Sequence, residues 1–292
     1  MSDPKVEQDV RAFYDAIGWK LESDGHYQNA RYEDLRPVSA EYIHRCHLRI
    51  APYFTAGGSY LLDAGSGPIQ YAEYLTYFEK RVCADISITA LKEARKRIGE
   101  HGFFVVADVA NLPFAPAVFD GAVSLHTLHH LPLDAQKNAW FELVRTLKRG
   151  KTAVVVNGWT ESEMMKHWQS RVELAERIGH WVARLRGKER RNPTVSDAAS
   201  HVGSNTDGNT KATGTFVRKM DAAWLRKELS SLSDQIQIEI RCWRSVSVRW
   251  LRALIHSPYG KLALRHLYRL EEKAPESYGE RGQYPLIVLR KQ

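Results

Sequence analysis

The chain has 292 residues, 43% of them hydrophobic and 26% charged, the make-up of a globular protein able to bury a full core. Its three cysteines, Cys46, Cys83 and Cys242, are far apart, which argues against a disulfide scaffold and shows no paired metal-ligand spacing. A net charge of +8 permits an acidic partner without requiring one, and the absence of a long apolar run or a secretory-type start leads to the expectation of a cytoplasmic protein.

Val6, Val10, Phe13, Tyr14 and Ile17 recur near helical spacing and predict an amphipathic helix over 4–20, with Gly25 breaking the pattern. A loop with Tyr27, Tyr32 and Arg36 runs to Pro37, and a second helix is expected over 39–53 with Ser39 as its N-cap. Strands are then expected at 60–63, 81–85, 103–108, 119–125 and 152–157. Helices fill the intervals at 69–78, 89–98 and 134–147, the last stopped by Gly150. That alternation implies a doubly wound α/β sheet with parallel strands. Beyond Asn157 the pattern changes. A long, basic, Trp-bearing helix or helix pair is expected over 161–191 and a mobile loop rich in Ser, Thr, Asn, Asp and Gly over 192–214. A helix at 221–229, a strand at 235–243, a basic helical region at 246–272 and a last strand at 284–289 complete the chain.

The most informative segment is Leu61-Leu62-Asp63-Ala64-Gly65-Ser66-Gly67-Pro68. A buried strand leads into a tight turn, where Gly65 and Gly67 are expected to let the backbone approach a ligand. Asp85 ends the next strand, 20 residues past Gly65, where a carboxylate can accept bonds from both hydroxyls of a ribose. A nicotinamide dinucleotide would suit the same context. Its third fingerprint glycine, however, is replaced here by Gln70, which counts against a pyrophosphate beside the helix.

Together with Val82-Cys83-Ala84-Asp85, Ala107 to Phe114, Phe119 to His126, Leu128 to Pro132 and Leu147 to Lys151, this segment resembles the type 11, or menaquinone/ubiquinone-like, branch of the class I methyltransferases. The resemblance covers about residues 58–157. It implies S-adenosylmethionine as cofactor and a doubly wound, seven-stranded, mostly parallel Rossmann-like sheet with an antiparallel last strand and helical cap insertions. It implies that Asp63 and the turn Gly65, Ser66, Gly67 and Pro68 face the methionine part. Asp85, with Ile86 beside it, would serve the ribose, Asp108 the adenine amino group and Val109 the ring, while Leu125 and His126 would border the sulfonium. The family commonly has another glycine where this chain has Ile69. On this reading residues 1–57 form an N-terminal helical lid, 58–157 the cofactor-binding core, 158–220 a helical cap and 221–292 the rest of the sheet with a further helical insertion.

Methyl transfer needs mainly alignment of nucleophile, methyl and sulfur, and a base only when the nucleophile starts protonated. His126, which follows the fourth strand, is the first candidate base, and His130 the second. His129 and His130 read equally well as packing or capping residues, and no carboxylate or cysteine completes a metal site with them. His44 and His47 read as surface or cap residues. Phe13, Tyr14, Trp19, Tyr27 and Tyr32 look like a lid over cofactor and acceptor, with core packing as the alternative, and Tyr14 is a third candidate catalytic residue. Trp159, Met164, Met165, Trp168 and Trp181 suit an apolar acceptor pocket or the packing of extra helices. Arg184, Arg186, Lys188, Arg190 and Arg191 suit a solvated helix end, a peripheral contact with anionic lipid, or an RNA contact. The expected activity is methylation of a small aromatic, isoprenoid or natural-product-like acceptor by a monomer or homodimer with no obligate nucleic acid. An RNA or protein methyltransferase and a non-catalytic cofactor-binding protein are the rivals.

Overall fold

A computed structural model describes residues 4–15, 19, 33–69, 75–185 and 216–292. Its seven strands, Gly58–Ala64 (β1), Phe78–Asp85 (β2), Gly102–Val106 (β3), Phe119–Leu125 (β4), Leu147–Val156 (β5), Ile236–Arg244 (β6) and Tyr284–Lys291 (β7), form one sheet in the order β3-β2-β1-β4-β5-β7-β6. β1 to β5 pair in parallel, and β7 runs antiparallel to both β5 and β6. The strand order reverses between β1 and β4. Ligands of open α/β sheets bind at such a switch point, outside the carboxyl ends of the strands.

The described helices are Pro4–Phe13 (α1), Ala40–Leu48 (α2), Ile88–Ile98 (α3), Leu133–Thr146 (α4), Glu163–Leu185 (α5), Ala222–Glu228 (α6), Val248–Leu254 (α7), Gly260–Lys273 (α8) and Pro275–Arg281 (α9). Side chains alternate between the faces of a strand, so each central strand feeds two cores. On one face Leu62, Ala122, Val155 and Ile287 pack with Trp140 and Leu143 of α4 and Leu225 of α6. On the other, Leu61, Val123, Val154 and Val288 pack with Ile43 and Cys46 of α2, Leu251 of α7 and Leu264 of α8. Burial on both faces gives the near-continuous apolar runs of β1, β4 and β5. Among the described residues no helix is long and apolar enough to cross a membrane.

Several local expectations are corrected. Gly150 does not end a helix: α4 passes directly into β5 at Leu147, and Gly150, at φ +73°, lies inside β5. It belongs to a bulge where the pairing jumps from Phe119–Leu147 to Gly121–Thr152, and Lys148 reaches from it to Asp120 at 2.9 Å. Ser39 precedes α2, but its hydroxyl donates to Asp34 (2.5 Å) and caps nothing. The region 246–272 is two helices, α7 and α8, with α9 as a third before β7. Phe78 opens β2, and the rest of the 69–78 helix falls largely on residues outside those described, as does the loop 192–214.

Glu271 of α8 ties the C-terminal helices to the sheet. Fully buried, it accepts bonds from Tyr42 Oη (2.7 Å), Ser245 N–H (2.9 Å), Ser245 Oγ (2.5 Å) and Arg49 Nη1 (3.0 Å). Removing one partner of a buried charge pair leaves the other uncompensated, so Glu271→Ala is expected to cost about 3–5 kcal/mol. Chemical denaturation should show it as a lowered midpoint at unchanged slope; a loss under 1 kcal/mol would rule out this role for the carboxylate.

Candidate active site

At the end of β1 the backbone bends through Gly65 (φ +73°) and Gly67 (φ +55°). The Gly65 N–H donates to Ala84 O at 2.7 Å, joining the turn to β2. A Cβ on Gly65 would lie 2.1 Å from Thr127 Cγ2, and the Thr127 hydroxyl donates to Gly65 O at 3.0 Å. Gly65 is therefore needed for contact with the segment after β4, a different reason from the ligand approach expected of it. A Cβ on Gly67 would instead sit 3.1 Å from the Trp19 ring, so the outer side of the turn is covered by the N-terminal segment. Ser66 is half-buried and Pro68 buried within the bend. Ile69 follows at φ +55° with its side chain buried beside Cys83, Leu91 and Ala94. A β-branched residue rarely takes that conformation, which accounts for the glycine common there in the family.

Asp85 lies across the turn. Its Oδ2 accepts the Gly67 N–H (2.9 Å) and its Oδ1 accepts the Ser87 N–H (2.8 Å). Burial pushes this carboxyl up to about 6, although the two backbone donors pull it down. Each oxygen keeps lone-pair capacity for a further donor, as a ribose diol requires. Ala107 N–H donates to Asp85 O (3.0 Å), which brings the loop after β3 alongside. There Asp108 Oδ1 accepts the Ala110 N–H (2.9 Å), Val109 is buried, and Ile86 is half-buried at the β2 tip. The left-handed turn, the desolvated carboxylate and the two apolar tips fit an adenosyl ligand that carries no pyrophosphate. Asp63 differs from its expected exposure to a ligand, because its Oδ2 is engaged by Arg81 Nε at 2.8 Å and both side chains are buried beneath the turn.

The N-terminal segment closes over this end of the sheet. Asp15 Oδ1 accepts the Ser87 hydroxyl (2.5 Å), Trp19 stacks on Tyr14 at 5.3 Å, and Tyr14 meets His130 Nε2 at 2.9 Å. His130 Nδ1 lies 2.9 Å from Phe216 O. A carbonyl only accepts, so Nδ1 carries the proton and Nε2 accepts the Tyr14 hydroxyl. Both nitrogens are thus engaged, and burial holds the ring down at about 4. His129 Nδ1 faces Asn157 Oδ1 at 3.2 Å, and burial likewise lowers its affinity for a proton.

His126 directly follows Leu125, which is half-buried at the β4 tip, and takes φ +57°. Its ring packs edge-on against Trp243 (4.8 Å) and Tyr284 (5.6 Å), and burial together with nearby Arg244 brings its pKa down to about 3. These aromatics come from β6 and β7. Among the aromatics expected to line a pocket, Trp159 is a core residue donating to Gly279 O (2.8 Å), Trp168 packs on Trp250, and Trp181 is exposed. His47 is also not a surface residue: it is buried, 2.9 Å from Glu33 and edge-on to Trp243 at 5.2 Å. Of the basic stretch 184–191 only Arg184 falls among the described residues, near the end of α5. Arg81, Thr127, Trp243, Arg244 and Tyr284 escaped the sequence reading. Only Arg81, two residues from Cys83 on the same strand face, carried a local signal.

The methyltransferase domain family matches residues 62–155. A curated tRNA (carboxymethyluridine(34)-5-O)-methyltransferase of Arabidopsis thaliana is 27% identical over 190 residues, covering 56% of this chain and 45% of that protein, so the chain spans about half the length of the relative it matches. Among solved structures, the DhpI–SAH complex is 12% identical with a TM-score of 0.55, covering 99% of this chain and 98% of that one. Geranyl diphosphate C-methyltransferase of Streptomyces coelicolor A3(2), in complex with Mg2+, geranyl diphosphate and S-adenosyl-L-homocysteine, is 14% identical with a TM-score of 0.54, covering 98% of each chain.

The raised Asp85 carboxyl has a defined consequence. Between about pH 4 and 6 the folded protein keeps a proton that the unfolded chain has lost, so Asp85 reduces stability as pH rises through that window. Ribose hydroxyls donate to the ionised form, so S-adenosylhomocysteine affinity should fall about tenfold from pH 7 to pH 5, with proton release on binding near pH 6. Asp85→Asn should weaken binding at pH 7.5 and flatten that dependence; an unaltered calorimetric pH profile in the variant would remove the ribose assignment. The matched residues, the strand order and the turn-and-carboxylate geometry agree: residues 62–155 match the methyltransferase domain family, within a sheet that has the strand order β3-β2-β1-β4-β5-β7-β6.

Proposed function

We propose that the protein transfers a methyl group from S-adenosylmethionine to a small-molecule acceptor held against His126, Trp243 and Tyr284. One observation carries the reading: at the tips of β4, β6 and β7, one residue from the Thr127 that packs on the glycine turn, the rings of His126, Trp243 and Tyr284 pack edge-on against one another. Such a lining suits an acceptor with an apolar or aromatic body.

The bound cofactor supplies an electrophilic methyl carbon. The chain's own residues align and enclose. Asp85 accepts the ribose hydroxyls, and Gly65, Ser66, Gly67 and Pro68 shape the bend around the methionine part. Asp63, through Arg81, stiffens the strand beneath that bend. Asp108, Val109 and Ile86 border the base. Tyr14 and Trp19 exclude water, with His130 as the anchor that holds Tyr14 in place. Leu125 and His126 face the reacting centre. At a pKa of about 3, His126 is neutral but a poor proton acceptor. Moving a proton to it from a hydroxyl of pKa ~10 would cost roughly 10 kcal/mol. Its role is therefore to accept a hydrogen bond and orient the nucleophile, and any proton leaves after the methyl has transferred.

The similarity to a tRNA methyltransferase favours a second reading, transfer to RNA. Radiolabelled S-adenosylmethionine offered with total RNA and, separately, with a small-molecule extract separates the two. Label in the extract is expected, and label in RNA alone would overturn the first reading. His126→Ala should lower turnover of the acceptor by about 10- to 100-fold through lost alignment, with S-adenosylhomocysteine affinity within about twofold. A wild-type rate profile with an ionisation near pH 6.5 that His126→Ala abolishes would instead make His126 a general base.

A further inference from the structure

The acceptor side of the site contains buried donors that no described residue satisfies. Arg244, the last residue of β6, is 2% exposed, and its Nε and Nη1 have no hydrogen-bond partner among the described residues. Its guanidinium lies over the Tyr284 ring at 4.6 Å and over Trp243 at 5.1 Å, the two rings that flank His126. Glu33, a carboxylate whose charge acts on it, is engaged by His47 at 2.9 Å, and no ion pair reaches Arg244 among the described residues. Buried guanidinium N–H groups are almost always satisfied, because leaving them unmade forfeits hydration and gains nothing.

A second cation stands near Tyr284. A Cβ on Gly158 would lie 3.2 Å from Lys219 Cε, 3.4 Å from Lys219 Nζ and 3.5 Å from Tyr284 Cε1, so the ammonium and the ring both border this glycine. Lys219 forms no ion pair among the described residues. Asn157, next to Gly158 at the β5 tip, is fully buried and presents a third unmade donor, its Nδ2, while its Oδ1 faces His129. The unmade groups are all donors. What they lack is an acceptor carrying negative charge.

We propose that Arg244 and Lys219 anchor an oxyanion group, a carboxylate or a phosphate, carried by the acceptor. The proposal rests on the small-molecule reading above and narrows it: the acceptor has an apolar body against His126, Trp243 and Tyr284 and an anionic end held by the two cations. Arg suits that task because its planar fork binds carboxylate and phosphate oxygens in pairs. An oxyanion also resolves the energetics, since a ligand supplies the acceptors that the free protein does without.

The test titrates the full chain, saturated with S-adenosylhomocysteine, with inorganic phosphate and separately with benzoate, followed by thermal shift and calorimetry. At least one should bind saturably, phosphate or benzoate identifying which oxyanion is preferred. Arg244→Met and Lys219→Met should each weaken that binding by about tenfold or more, and Arg244→Lys should keep part of it. A buried charge kept for a ligand is replaceable by an apolar residue without loss of stability, so Arg244→Met should melt no lower than wild type and bind S-adenosylhomocysteine normally. Absence of binding by either anion overturns the proposal, as does binding that Arg244→Met leaves unchanged. Arg244→Met that destabilises the fold while wild type ignores both anions assigns the residue to packing instead. Methylation of a neutral small molecule, unaffected by Arg244→Met, defeats the anchor alone, whereas methylation confined to RNA defeats the reading beneath it.

Discussion

The site depends on one hydrogen bond, from the Gly67 N–H to the Asp85 carboxylate at 2.9 Å. It joins the bend after β1 to the end of β2, so two loops that parallel pairing brings side by side become one rigid edge. The bond is possible only because Gly67 adopts a left-handed conformation. Its cost is a carboxylate held out of water, which a ligand with paired hydroxyls can relieve. Asp63 and Arg81 brace the same edge from below, and Thr127 braces it from the side through Gly65. The first strand thus ends in a surface fixed on three sides and covered on the fourth by Trp19.

The histidines show how burial redirects chemistry. A run of imidazoles at a strand tip invites a reading as acid–base machinery, yet burial holds His126 and His130 well below neutrality and His129 in the same direction. Deprotonated at physiological pH, they serve as hydrogen-bond partners. His130 joins the N-terminal helix to the segment at Phe216, and His129 meets Asn157. His126 packs its ring edge-on against Trp243 and Tyr284. This division suits a reaction whose electrophile is already activated, where geometry and exclusion of water matter more than proton transfer.

The core was legible wherever local pattern and tertiary environment agree. The fourth strand spans 119–125 as its apolar run indicates, and the strand-turn-acid grammar of 61–85 matches β1, the left-handed bend and Asp85 at the end of β2. What the sequence concealed is contact between distant segments. Gly65 is a glycine because of Thr127, 62 residues away. The Arg81 partner of Asp63 arises from the pairing of β1 with β2, and the His47 ring against Trp243 and the Trp243–Arg244–Tyr284 group around His126 arise only when the last two strands complete the sheet. Gly150 misled because a helix stop and a strand bulge use the same left-handed conformation. The acceptor side was harder to read than the donor side for a physical reason: it is assembled from the chain's most widely separated elements.

The central claim is that the bend after β1, the end of β2 and the loop after β3 together hold the adenosyl ligand. Hydrogen–deuterium exchange of the whole protein with and without S-adenosylhomocysteine tests it most directly. The account predicts slowed exchange concentrated in 63–69, 85–87 and 107–110. Saturation with that compound and no protection in those three segments would contradict it.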